Sequence, residues 1–162
     1  MSTEPKARLF CGIMYADQGI YRKAITILQS EFGPIEHEGE EFDFDFTTYY
    51  ENEFGSGLKK RFVVFSSLIG RKQLPEIKHS TIQIEDTFRR NAKRQINIDP
   101  GYITLHNVVV ASTKELPHRV YLGEGIYGDV QLILKRKKSF VFRHTFADYA
   151  AHKDFFLKQR NK

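Results

Sequence analysis

Three observations predict an α+β fold. Apolar residues alternate in short runs, as in Leu9, Cys11 and Ile13 or Phe42, Phe44 and Phe46, the period of a strand with one buried face. Two other stretches repeat apolar residues at three- and four-residue spacing, the period of an amphipathic helix. The segments then follow one another in the order βαββαβ.

The first strand covers residues 7–15, with Leu9, Cys11 and Ile13 on one face. Asp17 is placed to cap a helix whose stripe is Ile20, Ala24, Ile27 and Leu28, and Gly33-Pro34 stops it. Residues 42–46 alternate strictly, Phe-Asp-Phe-Asp-Phe, giving a strand with an aromatic and an acidic face. Residues 61–68 form a third strand. The connection over 47–60 is too long for a tight hairpin, and long loops more often carry function than mere connectivity. Leu74, Ile77, Thr81, Ile84 and Phe88 mark the second helix, and Arg89, Arg90, Lys93 and Arg94 complement its C-terminal dipole. Residues 102–111 read as a fourth strand entered through Pro100-Gly101, although an apolar run alone also admits a short helix. This order is that of a ferredoxin-like core, an antiparallel sheet with both helices on one face. Residues 118–122 and 126–134 add a strand pair around Gly123-Glu124-Gly125, residues 140–142 a short strand, and residues 146–159 a helix. The expectation is one domain over 1–162, with a core at about 7–111 and a C-terminal hairpin and helix extension at about 116–160.

Composition narrows the class. A chain of 162 residues with 41% hydrophobic and 28% charged content is long enough to bury a core, and its 14 Phe and 8 Tyr imply aromatic packing. The single Cys11 excludes an internal disulfide and any cysteine-based zinc site, and its apolar neighbours predict a buried, inert thiol. No apolar run is long enough to span a bilayer, and residues 1–8 lack the apolar segment of a signal peptide, so the expected location is cytoplasmic. The net charge of +5 is uneven: residues 31–54 hold no Lys or Arg, and residues 135–162 are strongly basic. That basic end is suited to RNA or phosphate contact, or simply to a solvated helix face.

Two motif tests exclude whole classes. A P-loop needs two glycines at fixed spacing followed by Lys and a hydroxyl residue, then a helix. Gly55-Ser56-Gly57-Leu58-Lys59-Lys60 lacks the spacing and the hydroxyl and leads into a strand. Residues 123–128 match G-x-G-x-x-G, but neither a kinase catalytic loop nor an opening helix follows. The glycines therefore read first as a hairpin turn, with backbone amides that can still face a phosphate. His79-Ser80-Thr81 suggests a histidine phosphoesterase only superficially, since it lies on a helix without a second copy.

The stretch 97–129 concentrates turn residues, cations, histidines and hydroxyls between apolar runs. Lys114 and Arg119 form a candidate anion-binding pair, with Ser112 and Thr113 as hydroxyl donors. His118 neighbours Arg119, so on one strand the two point to opposite faces. Gly123 and Gly125 complete the candidate ligand set. Asp43 and Asp45 share one face of their strand and, with Asp99, are candidates for holding Mg²⁺. Asp99, ahead of Pro100-Gly101, otherwise reads as a turn residue.

Several motifs carry a family resemblance over nearly the whole chain. They are Phe10-Cys11-Gly12-Ile13-Met14-Tyr15, Glu31-Phe32-Gly33-Pro34-Ile35, Phe44-Asp45-Phe46-Thr47 with Tyr49-Tyr50-Glu51, Asn97-Ile98-Asp99-Pro100-Gly101-Tyr102, Ala111-Ser112-Thr113-Lys114, His118-Arg119-Val120-Tyr121-Leu122 and Gly125-Ile126-Tyr127. In these the chain resembles the domain of unknown function 4416 family, which implies a small prokaryotic protein and brings no activity with it. The expected function is a module binding a nucleotide or other phosphorylated small molecule near Lys114 and Arg119. The alternatives are a metal-assisted phosphoryl-transfer or hydrolytic enzyme, or a protein or RNA interaction module.

Overall fold

A computed structural model describes residues 4–160; residues 1–3 of the N-terminal stretch and 161–162 of the basic tail lie outside it. The molecule is built on a nine-stranded antiparallel sheet. Strand β1 (Lys6–Tyr15) runs through its middle, flanked by β4 (Lys59–Gly70) and β5 (Ile96–Ile103). Beyond β4 lies β2 (Ile35–Glu38), and β3 (Phe42–Asp43) also pairs with β4. Beyond β5 come β6 (Asn107–Ser112), β8 (Ile126–Lys135) and β7 (Arg119–Gly123), and β9 (Lys138–Val141) also pairs with β8.

Strand alternation in β1 supplies two cores at once. Leu9, Cys11, Ile13 and Tyr15 face α1 (Gln18–Phe32) and α3 (Leu74–Thr87), joined by Val63 and Phe65 of β4 and Ile96 and Ile98 of β5. Phe10 faces the other way, with Phe62, Val64 and Leu132 under Tyr149 of α4 (Ala147–Ala151) and Phe156 of α5 (Lys153–Arg160). Helices therefore cover both faces of the sheet. Asp17 caps α1 as expected, accepting from the Ile20 amide at 3.1 Å, and Cys11 is fully buried.

Four expectations are corrected. Only Phe42 and Asp43 of the 42–46 run pair in the sheet, and the edge beside β4 is mainly β2, whose Ile-Glu-His-Glu sequence carries little apolar signal. Phe44 leaves the sheet to pack on Tyr50 at 5.8 Å, within a small cluster of Met14, Leu58 and Phe54 of α2 (Glu51–Phe54). Residues 102–111 are two strands, not one strand or a helix. Between β5 and β6 the chain turns at Thr104, whose hydroxyl accepts from the amides of His106 (2.9 Å) and Asn107 (3.0 Å). Pro100-Gly101 is not an entry turn but the middle of β5. Gly101 is there because a Cβ would lie 2.3 Å from the Val109 carbonyl oxygen and 2.6 Å from the Phe10 ring. Finally, the C-terminal helix is two helices, broken at His152.

The outer edge of β8 is shared by two strands. β7 pairs with it from Ile126 to Asp129 and β9 from Leu132 to Lys135, leaving Val130 and Gln131 without a strand partner on that side among the described residues. Side chains fill the gap: His144 meets the Val130 carbonyl at 2.9 Å, and the Thr145 hydroxyl donates to the Gln131 carbonyl at 2.7 Å. The Phe146 amide donates to the Gln131 side-chain oxygen, also at 2.7 Å.

Candidate functional site

The sheet opens between β5 and β6. Their pairing covers only Gly101–Ile103 against Val108–Val110, although β5 begins at Ile96 and β6 runs on to Ser112. A buried backbone amide left without a strand partner has to find another acceptor. Ile98 finds Glu85 of α3, whose carboxylate accepts its amide proton at 2.6 Å. Lys78, two turns earlier on α3, donates to Asp99 at 3.2 Å. Side chains from a helix thus stand where a strand would, and beside them lies a cleft of about 390 Å³.

One wall of the cleft comes from β5 and the segment before it. Asn97 donates to Asp99 at 2.9 Å, and Arg94 donates to Asn97 at 2.9 Å and to Glu53 at 2.8 Å and 3.0 Å. Burial alone would raise the Asp99 carboxyl, but Lys78, Lys60 and the Asn97 amide outweigh it and hold the group below its ordinary value. Glu85 lies deeper and goes the other way, pushed up by burial to about 7 against the pull of the Ile98 amide and Lys78. Lys60 in turn ion-pairs with Asp148, both almost fully buried.

The opposite wall is the end of β6 and the start of β7. Arg119 donates to Asp129 at 2.8 Å, to the Ser112 hydroxyl at 2.8 Å and to the Lys114 carbonyl at 2.9 Å. Asp129, 1% exposed, also accepts from Gln131 at 2.9 Å and contacts His118 at 3.2 Å. Its carboxylate is the hub of this wall. Tyr49, Tyr50 and Phe146 complete the rim, and burial pushes the Tyr50 hydroxyl up to about 12. Lys114 differs from the other cations here. Its ammonium reaches only the Tyr49 hydroxyl, at 3.5 Å, and lies 5.8 Å from that ring's centre, with no carboxylate partner among the described residues.

Of the residues expected from the sequence, Ser112, Thr113, Lys114, Arg119 and Asp99 line this one cleft. His118 stands behind it, on Asp129. Gly123 and Gly125 do not line it. They form the β7–β8 turn with positive φ of 108° and 78°, and the Gly125 amide is already donated to the Tyr121 hydroxyl at 3.0 Å. Asp43 and Asp45 line a separate shallow groove, where Asp43 pairs with Lys59, so they do not join Asp99. Asp99 itself is a strand residue rather than a turn residue. Among the described residues, the group of histidine and carboxylate atoms able to share a metal ion is His118, Asp129 and His144.

Sequence reasoning missed Asp129, Lys78 and Arg94. The first two carried a signal: Asp129 interrupts an apolar strand, and Lys78 lies four residues after Leu74 on the buried stripe of α3. Arg94 belonged to a basic run read as dipole complement.

A family model described as "Domain of unknown function (DUF4416)" matches residues 5–162. No curated protein and no solved structure matches the chain. No helix of the described residues is long and apolar enough to cross a membrane.

Proposed function

We propose that this chain, which belongs to the domain of unknown function (DUF4416) family, binds a nucleotide or other phosphorylated small molecule in the cleft between β5 and β6. The observation that carries this reading is Lys114. Lys78, Arg94 and Arg119 each have a carboxylate partner, whereas Lys114 brings an ammonium to the mouth of the same cleft without one among the described residues. An uncompensated cation beside hydroxyls of Ser112 and Thr113 suits a phosphate, and the exposed ring of Tyr49 offers a face for a base or sugar. Arg119 serves this site by holding its wall in place, as its fork is already occupied by Asp129, Ser112 and the Lys114 carbonyl.

The same reading takes β1-α1-β2-β4-α3-β5 as a ferredoxin-like core. Support comes from the spatial order β2-β4-β1-β5 and from α1 and α3 sharing one face. A cytoplasmic location agrees with a lone cysteine whose thiol is buried, and its pKa raised, by the core.

The test is a thermal-shift panel of nucleotides, sugar phosphates and inorganic phosphate on wild type and Lys114→Ala, since a ligand of the folded state raises its melting temperature. Lys114→Ala is expected to melt as wild type does but to bind about tenfold or more weakly, the loss of one charge-assisted contact. Equal affinity in the two proteins would refute this site.

A further inference from the structure

We propose that His118, Asp129 and His144 form a binding site for a divalent transition-metal ion of the zinc type. The three residues come from separate places, the residue before β7, the middle of β8 and the loop after β9, yet each offers a ligand atom within 4.8 Å of the others. His118 Nε2 lies 3.2 Å from Asp129 Oδ2, and His144 Nε2 lies 3.6 Å from Asp129 Oδ1. Donor atoms about 2.0–2.2 Å from a tetrahedral zinc ion stand roughly 3.3–3.6 Å from each other, and both imidazole–carboxylate separations are close to that spacing. Two imidazoles and one carboxylate select zinc, cobalt, nickel or copper over magnesium or calcium, which prefer oxygen alone.

The carboxylate is also held as a metal ligand is held. Arg119 Nε fixes Oδ2 at 2.8 Å and the Gln131 amide fixes Oδ1 at 2.9 Å, each using one lone-pair direction of its oxygen. The ion would take the place of the proton between His118 and Oδ2. Loading asks for one local change. The two imidazoles stack with centres 4.0 Å apart and planes 16° apart, and His144 donates to the Val130 carbonyl at 2.9 Å. His144 Nε2 is engaged by that carbonyl, so its ring must rotate off it to turn a lone pair on the ion. Three protein ligands leave a fourth position for water, as in zinc sites that stay open to chemistry.

The test uses the metal alone and is independent of any cleft ligand. Chelator-treated full-length protein is titrated with Co²⁺, read by its visible absorption, and with Zn²⁺ by calorimetry. The expected result is one saturable equivalent, with binding about tenfold or more weaker in both His118→Gln and His144→Gln at unchanged melting temperature. His37→Gln, distant from this group, should bind as wild type does. In case a variant fails to fold, the His118 and His144 ring resonances of the wild-type protein are followed during Zn²⁺ titration, and both should shift. Absence of a saturable equivalent, undiminished binding in the folded variants, or unmoved resonances would overturn the site.

Discussion

Arg119→Ala should cost the fold far more than it costs a surface. The side chain is 6% exposed and its partner Asp129 1%, so the substitution strands a carboxylate away from water. Breaking a buried pair from one side costs about 3–5 kcal/mol, because the remaining charge stays desolvated. The lost donors to Ser112 and the Lys114 carbonyl act in the same direction. For a chain of this size that corresponds to a fall in melting temperature of about 6–20 °C. Urea denaturation of wild type, Arg119→Ala, Asp129→Asn and the double variant measures it as a cycle. The double variant removes the stranded charge, so its loss should fall short of the sum of the singles by about 1–3 kcal/mol. A single-variant loss below about 1 kcal/mol, or strict additivity, would show that Asp129 is not the hub of this wall. From the sequence, Arg119 reads as a ligand-binding residue. Its contacts assign it to the wall instead, which is why Lys114→Ala is the cleaner probe of binding.

Two further outcomes follow from the geometry. Gly101→Ala should destabilise by about 3 kcal/mol or more in urea denaturation, since a methyl group meets a strand carbonyl and a core ring with no room to yield; a loss under about 1 kcal/mol would contradict that packing. Glu85 makes stability depend on pH in an unusual direction. Its folded pKa of about 7 exceeds the ordinary 4.5, so the folded state holds the proton more tightly and stability falls as pH rises from about 4.5 to 7. The contribution is about 3 kcal/mol, and Glu85→Gln should flatten the wild-type slope between about pH 4.5 and pH 7. Parallel slopes would refute the assignment.

The parts of the fold legible in the sequence were those whose burial follows a period. β1, α1 and α3 bury one regular face each, and their residues announce it. β2 does not, because an edge strand is specified by the neighbour it pairs with, and Ile35 is the one apolar residue in its Ile-Glu-His-Glu sequence. The 102–111 run hid a turn because Leu105, at its tip, is apolar yet largely exposed. The candidate site divides the same way. Ser112, Thr113, Lys114 and Arg119 are close in sequence and share a wall, so composition found them. Asp129 joins them as the cross-strand partner of Arg119 in the β7–β8 hairpin, whereas Lys78 and Arg94 join only because β5 and β6 part, and no local pattern encodes where two strands separate.

The divided edge of β8 has a consequence for how the molecule opens. Because Thr145 and Phe146 stand in for the missing strand at Gln131, the segment that bridges the gap is also the tether of α4 and α5. Its hydrogen bonds and the burial of Tyr149 and Phe156 on Phe10 and Phe62 must then be lost in one event. The expected outcome in native-state hydrogen exchange is that the amides of residues 142–160 exchange together, ahead of the strands beneath; independent exchange along the segment would refute this. The sheet's second face is covered by a segment tied down at Thr145 and Phe146 and again by the buried Lys60–Asp148 pair.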